Sequence, residues 1–481
     1  MRRPSLSRSL LSSLTDKVTG AIPVHLVTKE SLAGWLESAA PAERGWVAAN
    51  GFEGKAGTRL LLPNGEGALA GVLYGFDPAA GCFAFSALAA GLPAGSYRID
   101  TRLDREMADS VAIGFALAQY RFDRYRKMER SKALLVWPKA ADRGAVTRRV
   151  EAQALVRDLV NTPAEDMGPA ELADVARGIA KAGGADLDVT VGDQLLKRNY
   201  PLVHAVGRAS TRAPRLIDLT WGKHGPKIAL VGKGVCFDSG GYDLKSAEGM
   251  KLMKKDMGGA AHVLALAQMV MAAELPIRLR VLVPAVDNLV AGNAFKPMDI
   301  LPSRKGLAVE IGNTDAEGRL ILADALTLAG EWEASAIIDF ATLTGAARVA
   351  LGTEVPALFS NDDGLAQRLL GAAQSERDPL WRLPLWQNYN KLIDSPIADV
   401  NNAGEGGFGG AITAALFLER FVPKGLPWAH FDIMAWRGTA EPGRPAGGEA
   451  MGMAAAYATL ADLAAPDDRN QGGRKKGRKK T

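Results

Sequence analysis

Cysteine is almost absent from this chain: 481 residues hold two, Cys82 and Cys236. Two thiols build neither a disulfide framework nor a thiolate metal cluster. Histidine is scarce too. His25, His204, His224, His262 and His430 show no metal-ligand spacing, so core or surface roles are expected for them. No run of about 18 or more apolar residues occurs, so no membrane span is expected. Residues 1–14 are rich in Arg and Ser and lack acids, but they have no long apolar core of a secretory signal. A frayed, solvated N-terminus is expected there, with a transit peptide as the alternative. The simplest compartment is the cytoplasm.

Against these absences, 47% hydrophobic and 23% charged residues make an ordinary globular composition. At about 150 residues per domain, the length suggests two or three domains. Glycine, with 53 residues, exceeds its usual share of about 7%, which implies many tight loops. The formal charge of +5 misleads. Residues 469–481 hold seven Lys or Arg and no acid, and without them the chain is near neutral or mildly acidic. The segment 467–481 reads as a basic, disordered tail. It is expected to be a solubilising extension. Nucleic acid could be reached through it but is not an expected partner.

No internal repeat is visible. In the first third, strands are predicted over 58–62, 68–76 and 82–88, and a helix over 107–125. No Asp, Glu, His or Cys cluster of metal-site type occurs there, so residues 1–144 are predicted to form a small α/β domain without chemistry. A long amphipathic helix over 145–160 should lead into a second domain, 145–466. It stops at Asn161-Thr162-Pro163, where the proline disfavours helix in the residue before it. Strands over 227–231, 279–286, 307–311, 336–343 and 430–434 then alternate with helices over 258–273, 319–332 and 411–421. This predicts an α/β fold with a mostly parallel central sheet flanked by helices. Ligands of such sheets sit beyond the carboxyl ends of the strands, and the polar clusters of this sequence fall at those ends.

The first cluster is Gly232-Lys233-Gly234-Val235-Cys236-Phe237-Asp238-Ser239-Gly240-Gly241, followed by Lys245 and then by Asp256. It reads as a glycine-rich loop directly after a strand. Glycines let backbone approach a ligand closely, yet the order of a phosphate-binding loop is missing. The second cluster is Asn313-Thr314-Asp315-Ala316-Glu317-Gly318-Arg319, between a strand and a helix. In an extended segment Asp315 and Glu317 would face the same way, and Arg319 would open the helix. Carboxylates converging on one loop face need positive charge to hold them. Two divalent cations supply it naturally, and zinc, manganese, magnesium and cobalt all accept oxygen ligands. Separate solvated loop charges are the bland alternative.

The stretch from Asn313 to Leu320 resembles the signature octapeptide of the leucyl aminopeptidase family (cytosol aminopeptidases, peptidase family M17). The first cluster, with its spacing to Lys245 and Asp256, is similar to that family's first metal motif. Asp339-Phe340-Ala341-Thr342-Leu343-Thr344-Gly345-Ala346 resembles another of its runs, and Asn161-Thr162-Pro163 resembles the start of its catalytic domain. The resemblance covers roughly residues 150–465, about two thirds of the chain.

It implies a two-metal aminopeptidase that releases N-terminal, leucine-like residues from short peptides. It implies a smaller macro-like N-terminal α/β domain, a larger catalytic domain, and a homohexamer. Asp238 and Glu317 would bridge two Mn²⁺ or Zn²⁺ ions. Lys233 and Asp256 would complete the tighter site, and Asp315 the more exchangeable one. Lys245 would polarise the scissile carbonyl, and Arg319 would hold a bicarbonate acting as proton shuttle. Met253, Thr342 and Gly345 would line the pocket for the first side chain, and Asp256 with one metal would receive the α-amine. The chemistry is consistent with each role. Lysine ligates a metal only when neutral, so a cation must depress its pKa. Paired metals lower the pKa of water from 15.7 towards about 7. A lysine stabilises charge developing on a carbonyl oxygen, and an arginine fork suits a small planar anion.

The chain departs from the family at Tyr242-Asp243-Leu244, where small and branched residues are usual, and at Ser246, often a proline. Lys251, Lys254 and Lys255 make the approach to Asp256 more basic. These differences touch specificity or metal affinity rather than the existence of the centre. Cys236 is not expected to ligate. The rival readings are a nucleic-acid-binding protein, a silent macro-like scaffold and a two-metal phosphoesterase. The filled set of expected positions, a lysine among the ligands and the lack of clustered His disfavour the last two. The first predicts nucleic-acid binding that falls steeply with salt and vanishes on deletion of 469–481.

Overall fold

The computed structural model describes residues 10–404 and 406–465. The expected tail, and residues 1–9 of the expected frayed start, lie outside these. The described part of that start is not frayed: Leu10 and Leu14 are buried in the N-terminal core. They flank the short 3-10 turn Leu11–Ser13, and burial holds them.

Six strands build the N-terminal sheet: β1 (Leu14–Thr15), β2 (Ile22–Val27), β3 (Arg59–Pro63), β4 (Leu69–Gly75), β5 (Gly95–Ile99) and β6 (Ala133–Val136). Their order is β1-β6-β5-β2-β4-β3, parallel throughout except between β3 and β4. The run 82–88 is not a strand. It lies in a 3-10 helix, Pro78–Phe85, and a short α-helix, Ser86–Ala90. A short uniformly apolar run carries no period to separate strand from buried helix. Here Asp77 caps the turn by accepting from Ala79 N, and alanine favours helix. The helix expected over 107–125 spans Arg105–Leu117. It stops early because the chain turns so that Tyr120 is buried and its hydroxyl donates to Asp158 at 2.7 Å.

The second part of the chain contributes β7 (Asp186–Val191), β8 (Arg215–Trp221), β9 (Lys227–Gly232), β10 (Gly234–Asp238), β11 (Arg278–Asn288), β12 (Ile300–Pro302), β13 (Ala308–Glu310), β14 (Ala336–Ala341), β15 (Ala357–Ser360), β16 (Trp381–Arg382), β17 (Val400–Asn401) and β18 (Trp428–Asp432). The main sheet runs β16-β15-β18-β14-β9-β11-β8-β7, with β10 also paired to β11. Its centre, β18-β14-β9-β11, is parallel, as is the β10 pair. β8 is antiparallel to both neighbours, and β15 is antiparallel to β18. The strand expected over 307–311 shrinks to β13 and joins a separate small sheet with β12 and β17.

Two buried clusters cover the faces of the main sheet. One includes the helices Arg143–Asn161 and Gly258–Ala272, the other Glu317–Glu331 and Gly410–Glu419. The Arg143–Asn161 helix also packs on Arg105–Leu117, so it ties the two sheets together. Arg157 on this helix pairs with Glu449 at 3.2 Å, both fully buried, with its guanidinium over the Tyr120 ring. Among the described residues no helix is long and apolar enough to cross a membrane.

His262 lies wholly inside this core, stacked on Phe340. Its Nε2 accepts from Met451 N at 2.9 Å, so Nδ1 carries the proton and donates to Gly258 O at 2.7 Å. Burial pushes its pKa down to about 4. The unfolded chain therefore takes up a proton near pH 6.5 that the folded chain refuses. Stability should fall as pH drops from about 6.5 towards 4, by up to about 3 kcal/mol from this residue. Urea midpoints at pH 7 and pH 5 should differ less in His262→Asn than in the wild type.

Candidate functional site

The site assembles at the carboxyl ends of the central strands. Lys233 follows β9, Asp238 ends β10, Asn288 ends β11, Thr342 follows β14 and Asp432 ends β18. The glycine-rich segment after β9 is not all loop. Lys233 N donates to Phe340 O on β14, and from Gly234 the chain pairs with β11 instead. Buried Val235 and Cys236 anchor that second strand. The backbone then turns sharply at Gly240 and Gly241, both at positive φ, and a Cβ at Gly240 would meet Asp243 O at 2.4 Å. The second cluster is not an extended segment either. Glu317 is already the first residue of its helix and Arg319 lies within the first turn. A carboxylate at a helix N-terminus is favoured by the dipole. Gly318 lets the Lys233 side chain pass, since a Cβ there would meet Lys233 Cε at 2.5 Å.

Carboxylate oxygens of Asp238, Asp315 and Glu317 lie within 4.8 Å of one another. Lys233 Nζ sits 2.7 Å from Asp256 Oδ2 and 2.9 Å from Glu317 Oε1, and donates to Thr342 O at 3.1 Å. Lys245 Nζ lies 2.9 Å from Asp238 Oδ2 and also pairs with Asp315. Four carboxylates thus face two ammoniums. Burial would lower both lysines, but Asp256 and Glu317 hold Lys233, and Asp238 holds Lys245, well above the ordinary lysine value. Burial and then the Asp238 charge push Asp315 and Glu317 up. Asp256, despite its burial, is held down by Lys233 and then Lys255. Lys255 is itself buried, which pushes it down to about 8. Arg319 is driven down to about 10 by burial.

The donor set fits a divalent cation. Both oxygens of Glu317, Asp256 Oδ2 and Asp315 Oδ1 are buried without a hydrogen bond among the described residues. Glu317, Asp256 and Asp315 still lie in ion-pair range of lysines. Oxygens in surplus over positive charge, beside a primary amine, are what hard and borderline divalent ions take as ligands.

Other residues chosen from the sequence fall around this cluster. Thr342 donates to Asp256 Oδ1 at 2.7 Å, so its hydroxyl serves a carboxylate. Its methyl would meet a Cβ built on Gly258 at 3.2 Å. Met253 opens the 3-10 turn that leads to Asp256. Gly345 starts a helix, and a Cβ there would meet only Arg348. Arg319 donates through Nη1 to Asn402 O at 2.7 Å, while its buried Nε has no hydrogen-bond partner among the described residues. Cys236 is buried, with its thiol directed at Gly234 O and pushed up by burial. A cavity of about 450 Å³ opens at the seam between the two sheets' domains, lined by residues such as Phe83, Gln153 and Arg444, and none of the cluster borders it.

Three supports are invisible in the sequence motifs. Asn288 Nδ2 donates to Asp238 Oδ1 at 2.9 Å and to Thr314 O at 3.1 Å. Asn402, fully buried, accepts from Gly312 N and Asn313 N at 2.8 and 3.1 Å and donates to Asn313 O at 2.8 Å. Asp432 accepts from Leu343 N and Thr344 N and from the Thr344 hydroxyl. Asn288 and Asp432 end strands, which was the available signal. Asn402 lies in the glycine-broken stretch Asn401-Asn402-Ala403-Gly404, which gives none.

Known proteins share both parts of this architecture. Residues 154–457 match the family model described as cytosol aminopeptidase family, catalytic domain, and 22–138 match the M17 aminopeptidase N-terminal domain. The probable cytosol aminopeptidase of Syntrophotalea carbinolica is 45% identical over 359 residues, covering 71% of this chain and 72% of its own. That of Caulobacter vibrioides is 39% identical over 446 residues, covering 86% and 90%. The crystal structure of cytosol aminopeptidase from Coxiella burnetii superposes with a TM-score of 0.90 at 45% identity, over 94% of this chain and 99% of that one. The bottromycin maturation enzyme BotP in complex with Mn gives 0.84 at 34% identity, over 93% and 100%. These matches make the chain a peptidase, a hydrolase of two-domain α/β architecture. It belongs to the cytosol aminopeptidase family, a metal-dependent family, and is an aminopeptidase.

Asn402→Ala would leave the amides of Gly312 and Asn313 without their acceptor. It is expected to destabilise the protein by about 1–3 kcal/mol, seen as a lower urea midpoint and faster hydrogen exchange at those two amides.

Proposed function

We propose that this aminopeptidase works with two divalent cations, Mn²⁺ or Zn²⁺, and prefers leucine-like N-terminal residues on short peptides. The observation that carries the reading is four carboxylates gathered round two lysines, with both Glu317 oxygens buried and without a hydrogen bond among the described residues. Asp238 and Glu317 would bridge the ions, Lys233 and Asp256 would complete one position, and Asp315 the other. When bound, such a pair supplies Lewis acidity and a water acidified for attack.

The chain's own groups do the rest. Lys233 can offer a lone pair only after Nζ loses its proton, which bound cations would promote against the hold of Asp256 and Glu317. Lys245 Nζ, which pairs with Asp238 and Asp315, would stabilise negative charge growing on the substrate carbonyl oxygen. Asp256 meets the free α-amine, which accounts for cutting at the N-terminus only. Met253, Thr342 and Gly345 border the first side chain, where one methylene is worth only about 1–3 kcal/mol of discrimination. Arg319 keeps a buried Nε donor free, which suits a small planar anion such as bicarbonate.

The domain division we propose is 1–144, 145–466 and a basic tail over 467–481. In support, Asp142 caps the linking helix Arg143–Asn161 by accepting from Ala145 N. A homohexamer working in the cytoplasm completes the proposal.

The test uses metal-stripped protein refilled with Mn²⁺ or Zn²⁺, on leucine p-nitroanilide and Leu-Gly, with N-acetyl-Leu p-nitroanilide as control. Only the free-amine substrates should be cut. The double variant Asp315→Ala, Glu317→Ala should lose more than the about 10–100-fold typical of outer-shell partners. Equal cleavage of the acetylated substrate, or full activity without metal, would overturn the reading.

A further inference from the structure

The geometry points to Asp243 as a positioning residue that sets the divalent-cation affinity of the half-site completed by Asp315. The inference rests on the two-metal reading above and adds to it a residue outside the ligand set.

Two loops carry the charged cluster. One leaves β10 with Asp238 and returns with Lys245; the other holds Asp315 and Glu317. Asp243 joins them. Its Oδ2 accepts from Thr314 N at 2.7 Å and lies 3.1 Å from the Thr314 hydroxyl. Its own backbone N–H donates to that hydroxyl oxygen at 2.8 Å, and the hydroxyl donates to Gly240 O at 2.6 Å. Every one of these bonds crosses from the first loop to the second. Thr314 is fully buried, so its amide depends on this acceptor, and a buried donor left unmade is costly.

The consequence falls on Asp315. Its side chain is 32% exposed, against 3% or less for Asp238, Asp256 and Glu317. Packing therefore fixes the other three carboxylates, whereas Asp315, held by its pair with Lys245, depends more on its backbone, one residue after Thr314. Its amide bonds only to the neighbouring Asn313 side chain, at 2.7 Å. Asn288 and Asn402 also hold the second loop, at Thr314 O and at Gly312 N, and Asp243, two residues before Lys245, adds the fastening at Thr314 N. A loop untied there changes the distance between Asp315 and Asp238, and with it the cation position those two share. Partners outside the ligand set typically contribute 10–100-fold in metal affinity.

The experiment is calorimetric titration of metal-stripped full-length protein with Mn²⁺, comparing wild type, Asp243→Ala and Asp243→Asn, with thermal unfolding of each metal-free form as a check on folding. Asp243→Ala should bind one Mn²⁺ as the wild type does and the other about 10–100-fold more weakly. Asp243→Asn keeps a side-chain oxygen for Thr314 N and should recover the second affinity to within a few-fold. Two wild-type affinities in Asp243→Ala, or an Asn variant as weak as the Ala one, would overturn the inference alone. A wild type that takes up no Mn²⁺ would overturn the two-metal reading and the inference together.

Discussion

Like charges gathered in a small space set the terms for the whole molecule. Two unit charges 4 Å apart interact by about 4 kcal/mol at an effective dielectric near 20, and Asp238, Asp256, Asp315 and Glu317 are packed more closely than their two lysine partners can neutralise. Burial makes each unpaired oxygen dearer still. The cluster persists only because the surroundings give these side chains nowhere else to go. The upward push on Asp315 and Glu317 is the electrostatic mark of that confinement, and the same surplus of oxygen is what gives the site its appetite for cations.

The scaffold supplies the confinement in layers. Parallel strands bring backbone ends from five parts of the chain to one edge of the sheet. Two apolar clusters, one per face, keep those strands from shifting. Neutral amides then act where another charge would worsen the repulsion. Asn288 and Asn402 offer donors and acceptors at no cost in charge, and between them they hold Asp238 and the backbone of the Asn313–Glu317 turn. Away from the site, the buried Arg157–Glu449 pair joins the linking helix to the segment after β18. There the balance is reversed: two arginines, Arg157 and Arg444, face the single buried carboxylate of Glu449.

Much of this was readable in the residues. The ligand-type side chains lie in two short motifs whose glycines, carboxylates and lysines belong together chemically whatever the fold. Long elements such as Arg143–Asn161 and Gly258–Ala272 were readable because their composition persists over many residues. The run 82–88 was not, because uniform apolarity suits a strand or a buried turn equally. The early end of Arg105–Leu117 was decided by the contact of Tyr120 with Asp158, 38 residues away. Strand β10 was hidden inside what reads as a glycine loop, since its only partner is β11, some fifty residues further on.

The sequence by itself determined the chemical inventory: an α/β alternation, two loops of metal-seeking residues and a lysine placed to serve among carboxylates. These follow from residue type and local spacing. Only the tertiary structure decided which oxygens go unpaired, that Glu317 opens a helix instead of continuing a strand, and that Asn288, Asn402 and Asp243 lock the two loops in register. Those facts depend on contacts between segments tens of residues apart. Such distances are set by how sheets pair and cores close, and no local pattern encodes them.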